Sequence, residues 1–164
     1  MAHSPVQDSS FKRFLGWFGS TRAGAWTMIN VASRIDRWLI RASDGGLNTT
    51  FAWPCLLLTT TGAKTGRTRT IPLVYVRDGE RLVLIASKGG NPRHPAWYLN
   101  LKTNPVVEVF LDGKSGRYTA RDAEGEERER LWNKAVGVYS GYEKYMKRAG
   151  GRKIPVVVLE PGHG

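Results

Sequence analysis

The spacing of apolar residues changes along this chain, from a helical period in the first third to a near-alternating period from Pro54 onward. Between Phe11 and Ser43, residues Phe11, Phe14, Leu15, Trp17, Phe18, Trp26, Ile29, Ile35, Trp38, Leu39 and Ile40 are interleaved with basic side chains, as in an amphipathic helix. Gly16, Gly19 and Gly24 interrupt that pattern, which predicts a short first helix, a break and a longer helix over Trp26–Arg41. Met1–Ser10 is polar and reads as a frayed terminus. Within Met1–Ser43 the only acids are Asp8 and Asp36, set against six Lys or Arg. An apolar stripe beside positive charge fits two arrangements: peripheral contact with an anionic membrane through Phe11 to Arg41, or packing of the helix on its own domain.

Beyond Pro54 the short apolar runs Cys55–Thr61, Thr70–Arg77 and Arg81–Ser87 predict strands. Asp78-Gly79 between the last two is a hairpin signal. A second hairpin is predicted from Val106–Leu111 and Tyr118–Arg121, joined through Asp112–Gly116, and Pro155–Leu159 supplies the last strand. Helices are expected over His94–Thr103, stopped by Asn104-Pro105, and over Glu124–Tyr139 with a continuation toward Arg148. The acidic first turn of the latter suits the helix dipole. Strands paired in hairpins with helices inserted between pairs argue against a doubly wound parallel sheet. They predict an α+β fold, a small antiparallel barrel with flanking helices. The expected organisation is an N-terminal amphipathic helical segment over residues 1–45 and a barrel over 46–164, one domain overall.

At 164 residues the chain suits a single domain, and 41% hydrophobic with 24% charged residues is ordinary globular composition. The net charge of +11 is not ordinary, and it points to phosphates, acidic cofactors, nucleic acid or anionic lipid. Cys55 is the single cysteine, so no disulfide framework or paired-cysteine metal site is expected; the thiol reads as core. No apolar run reaches the roughly 20 residues of a membrane span and no leader pattern is seen, so the chain reads as cytoplasmic.

Chemistry concentrates in the loops. Gly62, Ala63, Lys64, Thr65, Gly66, Arg67, Thr68 and Arg69 combine three positive charges with two glycines and no acid. Glycines let backbone N–H groups approach an anion, and Lys and Arg add charge-assisted hydrogen bonds. The competing reading is a solvated hairpin loop. A nucleotide-triphosphate loop is excluded, because Gly66 is followed by Arg67 and then by a strand rather than a helix. Ser87, Lys88, Gly89, Gly90 and Asn91 repeat the combination of lysine and glycine at a strand end. After them, Trp97 and Tyr98 can face a flat ligand or fill the core, and Asn100 can hydrogen-bond a ligand. Tyr139, Tyr142 and Tyr145, spaced three apart, place three phenols along one side of a helix. The histidines are only His3, His94 and His163, so neither a metal site nor a histidine triad is expected, and paired-acid hydrolysis is poorly supplied. The difficult chemistry then falls to a cofactor.

The runs "LLLTTTGAKTGRTRTIPLVY" at Leu56–Tyr75, "ASKGGNPRHPAWYLNLKTNP" at Ala86–Pro105, "YTARDAEGEERERLW" at Tyr118–Trp132 and "IPVVVLEP" at Ile154–Pro161 resemble the deazaflavin-dependent nitroreductase family of actinobacteria. With the tyrosine cluster, the resemblance covers about two thirds of the chain. It implies a split β-barrel like those that bind FMN, with coenzyme F-420, a 5-deazaflavin carrying a phospholactyl and oligoglutamate tail, as hydride carrier. It implies further that Lys64, Thr65, Gly66, Arg67, Arg69, Lys88 and Gly89 hold the coenzyme's anionic tail. Ser87, Trp97 and Asn100 would meet the deazaflavin end, and Tyr75, Ser87, Tyr139, Tyr142 and Tyr145 would border the acceptor pocket as catalytic candidates. Nitroimidazoles, quinones and activated alkenes all remain acceptors under this resemblance. The segment Asn91–His94 and the N-terminus depart from the family pattern, and both are expected near the substrate entrance.

Two rivals stay open. An FMN-dependent flavoprotein of the same barrel class would also use the Gly62–Arg69 loop. A non-catalytic binder of nucleic acid or anionic lipid would use Lys144, Lys147, Arg148, Arg152 and Lys153. The enzyme reading expects a small-molecule acceptor, no nucleic acid, and a monomer or weak oligomer.

Overall fold

The computed structural model describes residues 53–162, and the N-terminal helices expected between Phe11 and Arg41 lie outside them. Six strands close into an antiparallel barrel in the order β1-β2-β3-β6-β5-β4. They are β1 (Cys55–Thr61), β2 (Thr68–Asp78), β3 (Arg81–Ile85), β4 (Val106–Leu111), β5 (Lys114–Asp122) and β6 (Val156–Pro161). Closure comes from β1 pairing with β4, with Leu58 opposite Val109. Three helices accompany them: α1 (Ala96–Thr103), α2 (Gly125–Val138) and α3 (Gly141–Arg148), with a 3₁₀ turn at Lys88–Gly90 after β3. Among the described residues no helix is long and apolar enough to cross a membrane.

Strand alternation sorts the apolar side chains into two sets. Leu56, Leu58, Tyr75, Leu82, Leu84, Val107, Val109, Val157 and Leu159 fill the barrel, where Trp97, Tyr98 and Leu101 of α1 join them. Their sequence neighbours Val76, Val83, Ile85, Val156 and Val158 face outward and are covered by Leu131, Trp132 and Ala135 of α2 and by Tyr142 and Tyr145 of α3. Because β3 and β6 bury both faces, they read as continuous apolar runs, and each fully buried leucine contributes about 1.5–3 kcal/mol over leaving it in water.

The observed boundaries differ from the sequence expectation at several elements, and for three of them the local cause is visible. The second hairpin is tighter than predicted. Asp112 and Gly113 both take positive φ (51° and 75°) in a two-residue type I′ turn, so β5 starts at Lys114, paired with Leu111, and not at Tyr118. β2 is longer than Thr70–Arg77, while β3 ends two residues short of Ser87. The helix predicted from His94 begins at Ala96, since Pro95 occupies the extended N-cap position. The helix expected to run from Glu124 toward Arg148 is broken at Tyr139, which is extended (φ −139°, ψ 99°). Its ring folds back over Gly141, where any Cβ would collide with it. Three tyrosines spaced for one helix therefore come from a helix end and a second helix.

Ion pairs gather at the β2–β3 hairpin. Asp78 accepts from Arg81 at 2.7 Å, Arg130 at 2.8 Å and Lys134 at 3.1 Å. The hydrogen bond from Arg130, joined by those from Lys134 and Arg81, holds its carboxyl well below the usual carboxylate range. Glu127 takes Arg121 at 2.7 Å and Arg81 at 3.1 Å. The 11 residues of β2 span roughly 33 Å at about 3.3 Å per residue, and they separate this hairpin from the Gly62–Arg67 loop at the opposite end.

Gly90 sits where α3 lands on the 3₁₀ turn. Its φ is +78°, and a Cβ there would lie 2.7 Å from the Tyr145 carbonyl oxygen and 2.9 Å from Arg148 Cβ. Gly90→Ala is therefore expected to cost about 2 kcal/mol or more, from left-handed backbone and collision with a main-chain atom together. Thermal denaturation of the purified variant measures this as a fall in Tm.

Candidate active site

At one end of the barrel the β1–β2 connection forms a closed loop. Gly62 N–H donates to Arg67 O at 2.9 Å, Gly66 N–H donates to Gly62 O at 2.8 Å, and Gly66 takes φ +65°. A Cβ on Gly62 would come within 2.8 Å of Thr65 Oγ1 and 3.0 Å of Arg67 O, so the loop closes this tightly only with glycine there. Lys64, Thr65, Gly66, Arg67 and Arg69 are all exposed on it. Asn100 of α1 fastens the loop to the barrel: Ala63 N–H donates to its Oδ1 at 3.0 Å, and its Nδ2 donates to Thr60 Oγ1 at 3.0 Å. Expected to bond a ligand, Asn100 instead spends its carboxamide on the protein and acts from behind the loop. Trp97 likewise turns inward, 8% exposed, with its ring edge-to-face against Tyr98.

The second cationic segment follows β3, which runs antiparallel to β2 and so points toward the end of β2 that carries the first loop. Lys88, Gly89 and Gly90 all have positive φ (48°, 62° and 78°). A left-handed lysine is strained, and such strain persists only where neighbours hold it. Here two arginines do so. Arg148 Nη1 donates to Gly89 O at 3.2 Å. Arg152 donates through Nε to Asn91 O at 3.0 Å, through Nη1 to Ala86 O at 3.2 Å, and through Nη2 to Ser87 O at 2.8 Å. The Ser87 side chain is 8% exposed, and among the described residues its hydroxyl has no partner. Lys64, Arg67, Arg69 and Lys88 make no ion pair among the described residues, whereas Asp78, Asp122, Glu127 and Glu160 are all bonded to bases elsewhere.

The tyrosine cluster forms, but not as one wall with Tyr75. Tyr139 and Tyr145 share a hydrogen bond of 2.9 Å between their hydroxyls, and Tyr139 packs edge-to-face on Tyr142 at 5.0 Å between ring centres. Each is 6% exposed. Burial pushes all three phenols above their ordinary value, so they remain protonated donors at any physiological pH. Tyr75 pairs with Leu84 and faces the barrel interior, while Val76 and Val83 beside them face the tyrosine cluster, so Tyr75 and the cluster occupy opposite faces of one sheet. Cys55, read as core, is half-buried at the start of β1. No group of three or more potential metal ligands occurs among the described residues.

His94 and Arg152 are the residues that sequence inspection missed as a pair. Arg152 Nη1 lies 3.1 Å from His94 Nδ1, and because a guanidinium only donates, Nδ1 accepts and the ring proton sits on Nε2. The ring also lies 5.0 Å from that of Tyr98, whose hydroxyl donates to Asp122 at 2.9 Å. Burial and that hydrogen bond push the Tyr98 phenol up to about 12. Burial first, and the Arg152 charge second, lower the pKa of His94. Nothing in the sequence marks this contact, since the two residues are 58 apart.

The chain is similar to proteins of known family in sequence and in structure. Residues 32–161 match the family model of the F420H2-dependent quinone reductases. The F420H2-dependent quinone reductase of Mycobacterium tuberculosis is 46% identical over 113 residues, covering 65% of this chain and 72% of that protein. The solved structure of an F420-H2 dependent reductase, FDR-A, superposes with a TM-score of 0.60 at 46% identity, covering 65% of this chain and 94% of that one. A structure described as a domain-swapped dimer superposes at 0.63 with 41% identity, over 77% and 94% of the two chains.

The lowered pKa of His94 has a sign. The unfolded chain takes up the proton at about 6.5, before the folded one does, so the stability this pair provides is present above that pH and is lost progressively as pH falls below it. His94→Gln, which removes the titrating group, is expected to lose less Tm than the unaltered protein between about pH 7.5 and about pH 5.5. Equal losses in thermal scans across that range would contradict the assignment.

Proposed function

The chain belongs to the F420H2-dependent quinone reductase family, and on that premise we propose that it is an oxidoreductase passing hydride from reduced coenzyme F-420 to a quinone. One observation carries the reading. Lys64, Arg67 and Arg69 on the β1–β2 connection and Lys88 after β3 have no ion-pair partner among the described residues, and the Ser87 hydroxyl next to Lys88 is uncommitted. A set of unpaired bases with left-handed glycines is what a phosphate and several carboxylates require, and it exceeds what a lone phosphate needs.

In this reading the Gly62–Arg67 loop, Arg69 and Lys88 hold the coenzyme tail. Lys64 and Arg67 supply charge, Thr65 its hydroxyl, and Gly66 and Gly89 an unobstructed backbone. The coenzyme, when bound, supplies the hydride that passes to an electron-poor carbon of the acceptor. The chain's own task is positioning, which can remove a large part of such a barrier. Ser87 Oγ is placed to hydrogen-bond an oxygen on which negative charge develops. Tyr139, Tyr142 and Tyr145, held protonated by burial, border the acceptor side as packing surfaces and donors rather than as acids poised near neutrality. Family membership favours the deazaflavin over FMN. Family membership likewise favours the enzyme over the nucleic-acid reading, and two of the five bases of that reading, Arg148 and Arg152, donate to backbone carbonyls of the Ser87–Gly89 segment.

The test is a fluorescence titration of the protein with the deazaflavin coenzyme and, in parallel, with FMN, followed by quinone-dependent oxidation of the reduced coenzyme. Saturable binding of the deazaflavin with quinone turnover is expected; tight FMN binding without it would overturn the reading. Lys64→Ala should weaken coenzyme binding on the order of tenfold, with a shallower dependence on salt and an unchanged Tm. Ser87→Ala should lower kcat on the order of tenfold or more while the coenzyme Kd changes little. Steady-state kinetics beside the titration separate the two effects.

A further inference from the structure

We propose that Arg152 is a positioning residue of the coenzyme site, its guanidinium bracing the Ala86–His94 segment so that the Ser87 hydroxyl and the Lys88 ammonium stay at the mouth of the barrel. The proposal rests on the coenzyme reading above and extends it to a residue outside the cationic loops.

The geometry that points to it is the way the guanidinium is spent. Of its five N–H groups, Nε reaches Asn91 O, Nη1 reaches Ala86 O and His94 Nδ1, and Nη2 reaches Ser87 O, at 2.8–3.2 Å. All four of these partners are neutral, and none is a carboxylate. The bonds therefore fix a shape and do not neutralise a charge. They fall on both sides of Lys88–Gly90, where Gly89 and Gly90 take positive φ freely but Lys88, at φ 48°, is strained and needs its neighbours to hold it. Arg152 reaches this place because Gly150 and Gly151 (φ 64° and 85°) turn the chain after α3 and Arg152 N–H donates back to Ala149 O at 3.2 Å. Only a planar fork meets partners spread over this arc; an ammonium on a single stem reaches one or two of them. His94, in its neutral form, is the one partner that can lose its acceptor by titration, and the groups around it are Arg152, the Tyr98 ring and Asp122.

The experiment compares the unaltered full-length protein with Arg152→Ala and Arg152→Lys. Coenzyme Kd is measured by fluorescence titration, and amide hydrogen exchange is followed across residues 86–94. Both variants are expected to bind coenzyme on the order of tenfold more weakly and to exchange faster in this segment than in the barrel strands. If Arg152→Ala does not fold, Arg152→Lys alone decides. Full coenzyme affinity in Arg152→Lys would show that only charge matters and would overturn the proposal, as would unchanged exchange in residues 86–94. A further readout is pH: because the folded ring takes up its proton only at a pH more acid than an ordinary histidine, the unaltered protein should keep coenzyme affinity through that ordinary value and lose it on further acidification, and His94→Gln should flatten that loss. An unaltered protein that does not bind coenzyme at all would overturn the coenzyme reading itself, a result distinct from normal binding by both Arg152 variants.

Discussion

Closure of the barrel is the constraint from which the rest follows. Once β1 bonds to both β2 and β4, the sheet has an inside and an outside, and alternate residues of each strand are committed to one or the other. Leu82 and Leu84 must fill the interior while Val83 and Ile85 must be covered from without, so α2 and α3 have to lie over β2, β3 and β6. That placement brings the turn after α3 beside the end of β3. The Lys88 turn, its glycines and its arginine braces are consequences of where the helices had to go.

Charge is distributed in a second pattern laid over the first. At the β2–β3 hairpin Asp78 and Glu127 gather Arg81, Arg121, Arg130 and Lys134 into one network. At the other end of β2 the bases of the Gly62–Arg69 segment have no such partners among the described residues. Exposed pairs contribute little to stability, so the network's chief effect is to use up acids that would otherwise compensate the cationic end. Within the described residues, the bases of the Gly62–Arg69 segment therefore stand as a local concentration of uncompensated positive charge.

Asn100 and Arg152 show how the site is supported. Neither presents its polar atoms outward; one ties the first cationic loop to α1 and the other ties the second to the segment after α3. One loop closes through glycines at Gly62 and Gly66 and the other holds Lys88 in a left-handed conformation, and precise ligand contact needs supports of this kind.

Much of this was legible in the chain alone. Alternation over Cys55–Thr61 and Val106–Leu111, the Asp78-Gly79 turn and the Asn104-Pro105 stop encode local structure directly, because strand period, turn dihedrals and proline sterics act within a few residues. The two cationic glycine loops were legible for the same reason: their glycines and bases stand within a few consecutive residues. What only the tertiary structure decided depends on contacts between distant parts of the chain. The break at Tyr139 follows from its ring folding over Gly141, the separation of Tyr75 from the tyrosine cluster follows from strand register, and the diversion of Asn100 and Trp97 follows from the docking of α1. The pairing of Arg152 with Ser87, Asn91 and His94 spans about 60 residues and uses backbone carbonyls, which every residue carries and no sequence motif can mark.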